Sequence, residues 1–149
     1  MGHLVVFAES GVPHSGCVLQ YGGTVEWLSF MPRATSIWDT FPGGNYGMID
    51  TTDREGAIDS YVSMWVDDDA LVKGRNTTLA DYYSATYGLF INDCLSFSRD
   101  MVKNCKLGGG SATSFLPSVY VTQLYLINKD RIQSYNSTPY PWKSWSKNK

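Results

Sequence analysis

The chain has 149 residues, 43% hydrophobic and 17% charged, a balance that fits one globular domain able to bury a core. A net charge of −2 removes the electrostatic case for a nucleic-acid partner, which normally needs a basic footprint. The one apolar stretch near the start, Leu4–Ala8, has no basic flank and is far shorter than a leader or a membrane span, so synthesis in the cytoplasm without a signal peptide or integral membrane segment is expected.

In chain order, His3–Ala8 ("HLVVFA") predicts a strand, and Glu9–Gly16 ("ESGVPHSG") a loop punctuated by Gly, Pro and Ser. Cys17–Gly22 and Thr24–Phe30 predict two further strands joined by a tight Gly22-Gly23 turn, giving an antiparallel meander. Met31–Thr52 reads as a long loop with a short strand near Tyr46–Ile49, and loops of this length are often functional. Ile58, Val62 and Trp65 fall at helical spacing, so a helix capped by Thr52 or Asp53 is expected over Arg54–Val66, with Asp67–Asp69 closing it. A short helix or turn is expected within Thr78–Tyr87. An amphipathic helix then spans Asp93–Lys103, followed by a flexible Gly108–Gly110 break. Val119–Ile127 alternates and is β-branched; a strand is the first choice and a helix the second, before a Pro- and Trp-containing tail. The sum is an α+β class, an antiparallel sheet packed against helices in a single domain over residues 1–149.

Three cysteines, Cys17, Cys94 and Cys105, are an odd number without a CxxC or paired His/Cys spacing. A zinc site is therefore not expected, and a Cys17–Cys105 bridge is the one pairing left open. Cys94 differs from the other two in its setting. Asp93 can cap the helix, which places the thiol in the first turn, where unpaired N–H groups and the helix dipole favour a thiolate. A thiolate nucleophile also needs a base, and the chain holds only two histidines, His3 and His14. His3 opens a rigid strand, whereas His14 falls in the predicted loop, so His3 is favoured. If the hairpin loop centres near Val12, His3 lies across from Gln20–Tyr21, and Gln20 becomes the first candidate to orient the imidazole, ahead of Glu26 and His14. The competing bland explanation makes Cys94 a small core residue, His3 a surface residue and Gln20 a solvated sheet position.

Three motifs in order carry a resemblance. Gly2-His3 precedes an apolar strand, Trp27-Leu28-Ser29-Phe30-Met31-Pro32 follows, and Tyr87, Asn92, Cys94 and Phe97 open a helix. This order, His strand before Cys helix, resembles the circularly permuted papain-like hydrolases of the NlpC/P60 superfamily. That group includes lecithin:retinol acyltransferase-like lipid enzymes, PPPDE deubiquitinating-type peptidases and bacterial toxin or effector domains. The resemblance covers residues 2–107 and implies a permuted papain-like fold with Cys94 as nucleophile, His3 as base and a polar residue, Gln20, on the next strand. It implies acyl transfer without metal or organic cofactor, with Asn92, Asp93 and Trp38 as oxyanion or groove candidates. The substrates implied are peptidoglycan peptides, cut by an amidase or peptidase acting as an antibacterial toxin, with an immunity or delivery partner and delivery to a target periplasm or membrane. A phospholipase or acyltransferase is the alternative, and a non-enzymatic binding domain the third. The chain departs from the pattern at Asp93, an acid beside the thiol that would raise its pKa unless it turns away to cap the helix.

Overall fold

The computed structural model describes residues 1–11, 13–32, 46–87, 93–110 and 116–145. Six strands form one antiparallel sheet: β1 (Gly2–Glu9), β2 (His14–Tyr21), β3 (Thr24–Pro32), β4 (Gly47–Asp50), β5 (Ser60–Val66) and β6 (Ile132–Tyr135), in the spatial order β4-β3-β2-β1-β5-β6. The α+β class and the meander β1-β2-β3 follow the sequence expectation. β1 is central and buried along its whole length, because alternate residues serve two apolar layers. Leu4, Val6 and Ala8 join the core beneath the helices, and Val5 and Phe7 join a second cluster on the opposite face.

Three helices cover the first face: α1 (Asp68–Tyr82), α2 (Cys94–Asn104) and α3 (Pro117–Ile127). The second face is closed by the C-terminal segment and its short helix α4 (Trp142–Trp145). Trp142 is buried there against Trp27, Tyr61 and Tyr140, and its Nε1–H donates to Glu55 at 2.5 Å.

Two expected elements are corrected. The helix expected over Arg54–Val66 is instead a 3-10 turn at Glu55–Ala57 followed by β5. Tyr61, Val62, Ser63 and Met64 are all buried in a strand with covered faces, where β-branched and aromatic side chains pack well and apolar spacing no longer distinguishes strand from helix. The acidic run Asp67–Asp69 starts a helix rather than ending one. Asp67 is the N-cap of α1, and Asp68 and Asp69 sit in its first turn, where the dipole favours carboxylates. The strand preferred at Val119–Ile127 is the helix α3, with Pro117 at its first turn and Tyr120, Val121 and Leu124 buried at helical spacing. β2 also begins at His14, three residues earlier than expected, and this places His14 on a strand instead of in a loop. Strand β6 falls where only the approach to the tail was expected.

Among the described residues no helix is long and apolar enough to cross a membrane. Because Trp142 plugs the second face, Trp142→Ala should destabilise the fold by about 3–5 kcal/mol in urea unfolding. A loss below about 1 kcal/mol would show that the C-terminal segment is not part of the core.

Candidate active site

The helix carrying Cys94 begins as its sequence dictates. Asp93 is the N-cap of α2, and its Oδ1 accepts the Ser96 backbone N–H at 2.9 Å and the Ser96 hydroxyl at 3.1 Å. Cys94 is therefore the first helical residue, and the amphipathic face behind it (Leu95, Phe97, Met101, Val102) anchors α2 to the sheet. Ser98, one turn further on, shares a 2.9 Å hydrogen bond with Ser15 on β2 and fixes which strand the helix start overlies.

The β2–β3 ladder ends at that point. β2 pairs with β3 from Cys17↔Leu28 to Tyr21↔Thr24, while β3 goes on to pair with β4 over Ser29–Pro32. The His14–Gly16 stretch of β2 is thus not in register with β3. The Ser15 backbone N–H and the Tyr87 hydroxyl lie near enough to the Cys94 sulfur to favour its ionised form. Cys94 thus sits toward the end of β2 that begins with His14.

His3 and Gln20 meet as the hairpin argument predicts. They are directly paired across β1 and β2, and His3 Nδ1 lies 2.7 Å from Gln20 Oε1. Gln20 Nε2 donates to the Gly22 carbonyl at 2.9 Å, which fixes the amide so that Nδ1 of His3 carries the proton. His3 is buried between Trp65, with centroids 4.2 Å apart, and Trp145, stacked at 4.4 Å.

Cys94 is elsewhere, and the Cys94–His3 pair is corrected on this geometry. Ser15, the sulfur's neighbour, pairs with Ala8, whereas His3 pairs with Gln20. The two sites are separated by five residues of β1, roughly 17 Å at about 3.4 Å per residue. His3 lies on the face of Val5, Phe7 and Trp145, the face on which the His14 ring also neighbours Phe7, so the distance along the strand is what separates His3 from the thiol. Gln20 orients His3, but that pair lies far from the thiol. Of the other orienting candidates, Glu26 is bound by Arg75 at 2.6 and 2.9 Å and by the Tyr21 hydroxyl. Asn92 and Trp38 lie outside the described residues.

His14 is the histidine at the thiol's end of the sheet. It pairs with Glu9, is only 6% exposed, and its Nε2 is buried without a hydrogen-bond partner among the described residues. Ser29 Oγ and Asp50 Oδ2, on facing residues of β3 and β4, are likewise buried without hydrogen bonds. Around them runs an ion-pair network that the sequence did not reveal. Arg54 donates through Nε and an Nη to Glu9 at 2.5 and 2.9 Å, and its other Nη lies 3.8 Å from Asp50.

The electrostatics also correct the expectation of a resting thiolate. Burial pushes the Cys94 thiol up to about 11, the Asp93 charge adds to the rise, and the N–H of Ser15, the Tyr87 hydroxyl and the Cys94 N–H offset only part of it. Asp93 both caps the helix and opposes ionisation. Burial lowers His14 to about 4, with the Arg54 charge also lowering it and the Glu9 and Asp50 charges opposing. At neutral pH Cys94 therefore rests as a thiol and His14 as a neutral imidazole. Burial also lowers His3, against the hydrogen bond that its Nδ1–H donates to Gln20. Cys17 and Cys105 are free, buried and pushed up by burial. No group of three or more His, Cys, Asp or Glu suited to a metal ion occurs among the described residues. No family model matches the chain, and no match was found among curated proteins or solved structures.

Two pH dependences follow. Alkylation of Cys94 by iodoacetamide, read by peptide mass spectrometry, should still be climbing about tenfold per pH unit at pH 10, where an ordinary cysteine has levelled off. A plateau by pH 9 would mean that the helix terminus outweighs burial. For His14, the unfolded chain binds a proton near 6.5 that the folded chain takes up only near 4. Stability is therefore full above pH 6.5 and falls as the pH drops from 6.5 to 4, by on the order of 3 kcal/mol from this residue. His14→Gln should flatten that part of a denaturation-versus-pH curve, and an unchanged slope would contradict the assignment.

Proposed function

We propose that the chain is a cysteine hydrolase of the permuted papain-like kind, acting by acyl transfer on an amide, with Cys94 as nucleophile and His14 as base. One observation carries this: Cys94 is the first residue of a helix that Ser98 ties to Ser15 on β2, the strand that begins at His14, whose Nε2 is buried without a hydrogen-bond partner among the described residues.

Because the resting groups are thiol and neutral imidazole, attack and proton transfer go together. The Cys94 S–H proton passes to His14 as the S–C bond forms and the carbonyl electron pair moves onto oxygen. The Cys94 backbone N–H, no longer needed at sulfur, is a donor for that oxyanion. Collapse expels the amine, which takes the proton from His14. Water then attacks the thioester with His14 again as base, releasing the acid and restoring the thiol.

The choice of peptidoglycan peptides as substrate, and of a toxin or effector as the setting, rests on the family resemblance alone. One feature favours the lipid alternative. Tyr46, Met48 and Tyr83 are exposed and line a shallow groove with Ile49 and Ser84. Tyr46 bridges to Thr86, the neighbour of the Tyr87 that bonds the sulfur.

The test is incubation with purified peptidoglycan and, separately, phospholipid vesicles, with products identified by mass spectrometry. The wild type should release cleaved muropeptides and Cys94→Ala none. His14→Asn should lose about 10²–10⁴-fold, and His3→Asn should keep most of the activity. Cleavage of lipid alone would move the assignment to a phospholipase or acyltransferase. Intact substrates in both arms would leave Cys94 as the core thiol of a binding domain.

A further inference from the structure

The Arg54 network has no part in the catalytic scheme above, yet it lies at the thiol's end of the sheet. Glu9 is the last residue of β1 and pairs with His14. Asp50 is the last residue of β4 and pairs with Ser29 of β3. Arg54 reaches both, and its Nη1 also lies 3.9 Å from the Met31 sulfur on β3. The guanidinium thus ties β1 to β3 and β4 at the end of the sheet where Ser15 meets α2, and the Cys94 charge is among those that act on it.

Its hydrogen bonds are unequally distributed. Nε and Nη2 form a two-pronged bond to Glu9, which is 5% exposed and so holds the plane of the group fixed. Among the described residues, Nη1 has only the long contacts to Asp50 and Met31. Among the described residues, the titratable groups at this end of the sheet are Asp93 and Tyr87 beside the thiol, Arg54, and the Glu9, His14 and Asp50 side chains around Arg54. Three of these are carboxylates, and Arg54 is the one fixed cation among them. Without it, negative charge at sulfur would develop among uncompensated carboxylates in a largely buried site.

We propose that Arg54 is the positioning residue that permits negative charge to develop at Cys94, clamped by Glu9 so that Nη1 remains available to that charge. The role rests on the hydrolase proposal, but it concerns the thiol itself and is measurable without any substrate.

The experiment is the pH profile of iodoacetamide alkylation at Cys94, resolved by peptide mass spectrometry, for wild type, Arg54→Lys, Arg54→Gln and Glu9→Gln. Circular dichroism of each variant establishes that it is folded. Arg54→Gln should slow alkylation at pH 9 about tenfold, equivalent to one pKa unit, and Arg54→Lys should recover most of the loss. Glu9→Gln should change the rate in the opposite direction, several-fold faster. A merely structural tie predicts otherwise, since breaking it from either end loosens the same contact and shifts both variants the same way. Equal rates in all four proteins, or Arg54→Gln and Glu9→Gln moving together, would overturn the proposal. If Arg54→Gln does not fold, the direction of the Glu9→Gln change decides alone. Absence of hydrolysis by the wild type would sink the hydrolase assignment and leave these rates interpretable.

Discussion

The hydrogen bond between Ser15 on β2 and Ser98 on α2 is the contact on which the site depends. It joins helix to sheet just beyond the Cys17↔Leu28 pair, where the β2–β3 ladder ends. With the Asp93 cap it brings the helix start to that end of β2. The other residues at this end follow from the strand order. His14 precedes Ser15 on the strand, Glu9 pairs with His14, and Arg54 bridges Glu9 to the end of β4.

Charge at the site is kept in check by two opposed devices. Burial and Asp93 hold the proton on sulfur, and burial keeps His14 neutral. The Ser15 N–H and the Tyr87 hydroxyl act the other way, the direction also proposed for Arg54. Such a site is inert at rest and responds only when an electrophile draws charge onto sulfur and oxygen together, which suits a thiol that must survive unreacted. His3 belongs to a different economy. Its Nδ1–H is committed to Gln20 and its ring is packed between Trp65 and Trp145, so it fastens the C-terminal segment to β1.

Much of this was legible in the sequence. The β1–β2 register, with His3 opposite Gln20, follows from the placement of the turn, and the start of α2 follows from Asp93 and the apolar spacing behind Cys94. His14, the proposed base, was passed over for a local reason. "ESGVPHSG" has loop composition, yet His14, Ser15 and Gly16 are strand residues, because Phe7 and Ser29 crowd Gly16 so closely that only a glycine fits there. β5 was missed because a strand covered on both faces loses its alternation, and Val62 and Trp65 then imitate a helical stripe. The Arg54 clamp joins residues 45 positions apart, and no local pattern announces such a pair.

The central claim is that Cys94 works with His14 and not with His3, and the presence of only two histidines makes it directly measurable. Imidazole resonances of the protein, assigned through His3→Asn and His14→Asn, would be followed by NMR before and after complete alkylation of Cys94 by iodoacetamide. The account predicts that the His14 signals shift while those of His3, at the far end of β1, stay in place. A shift confined to His3, or none in either ring, would contradict it.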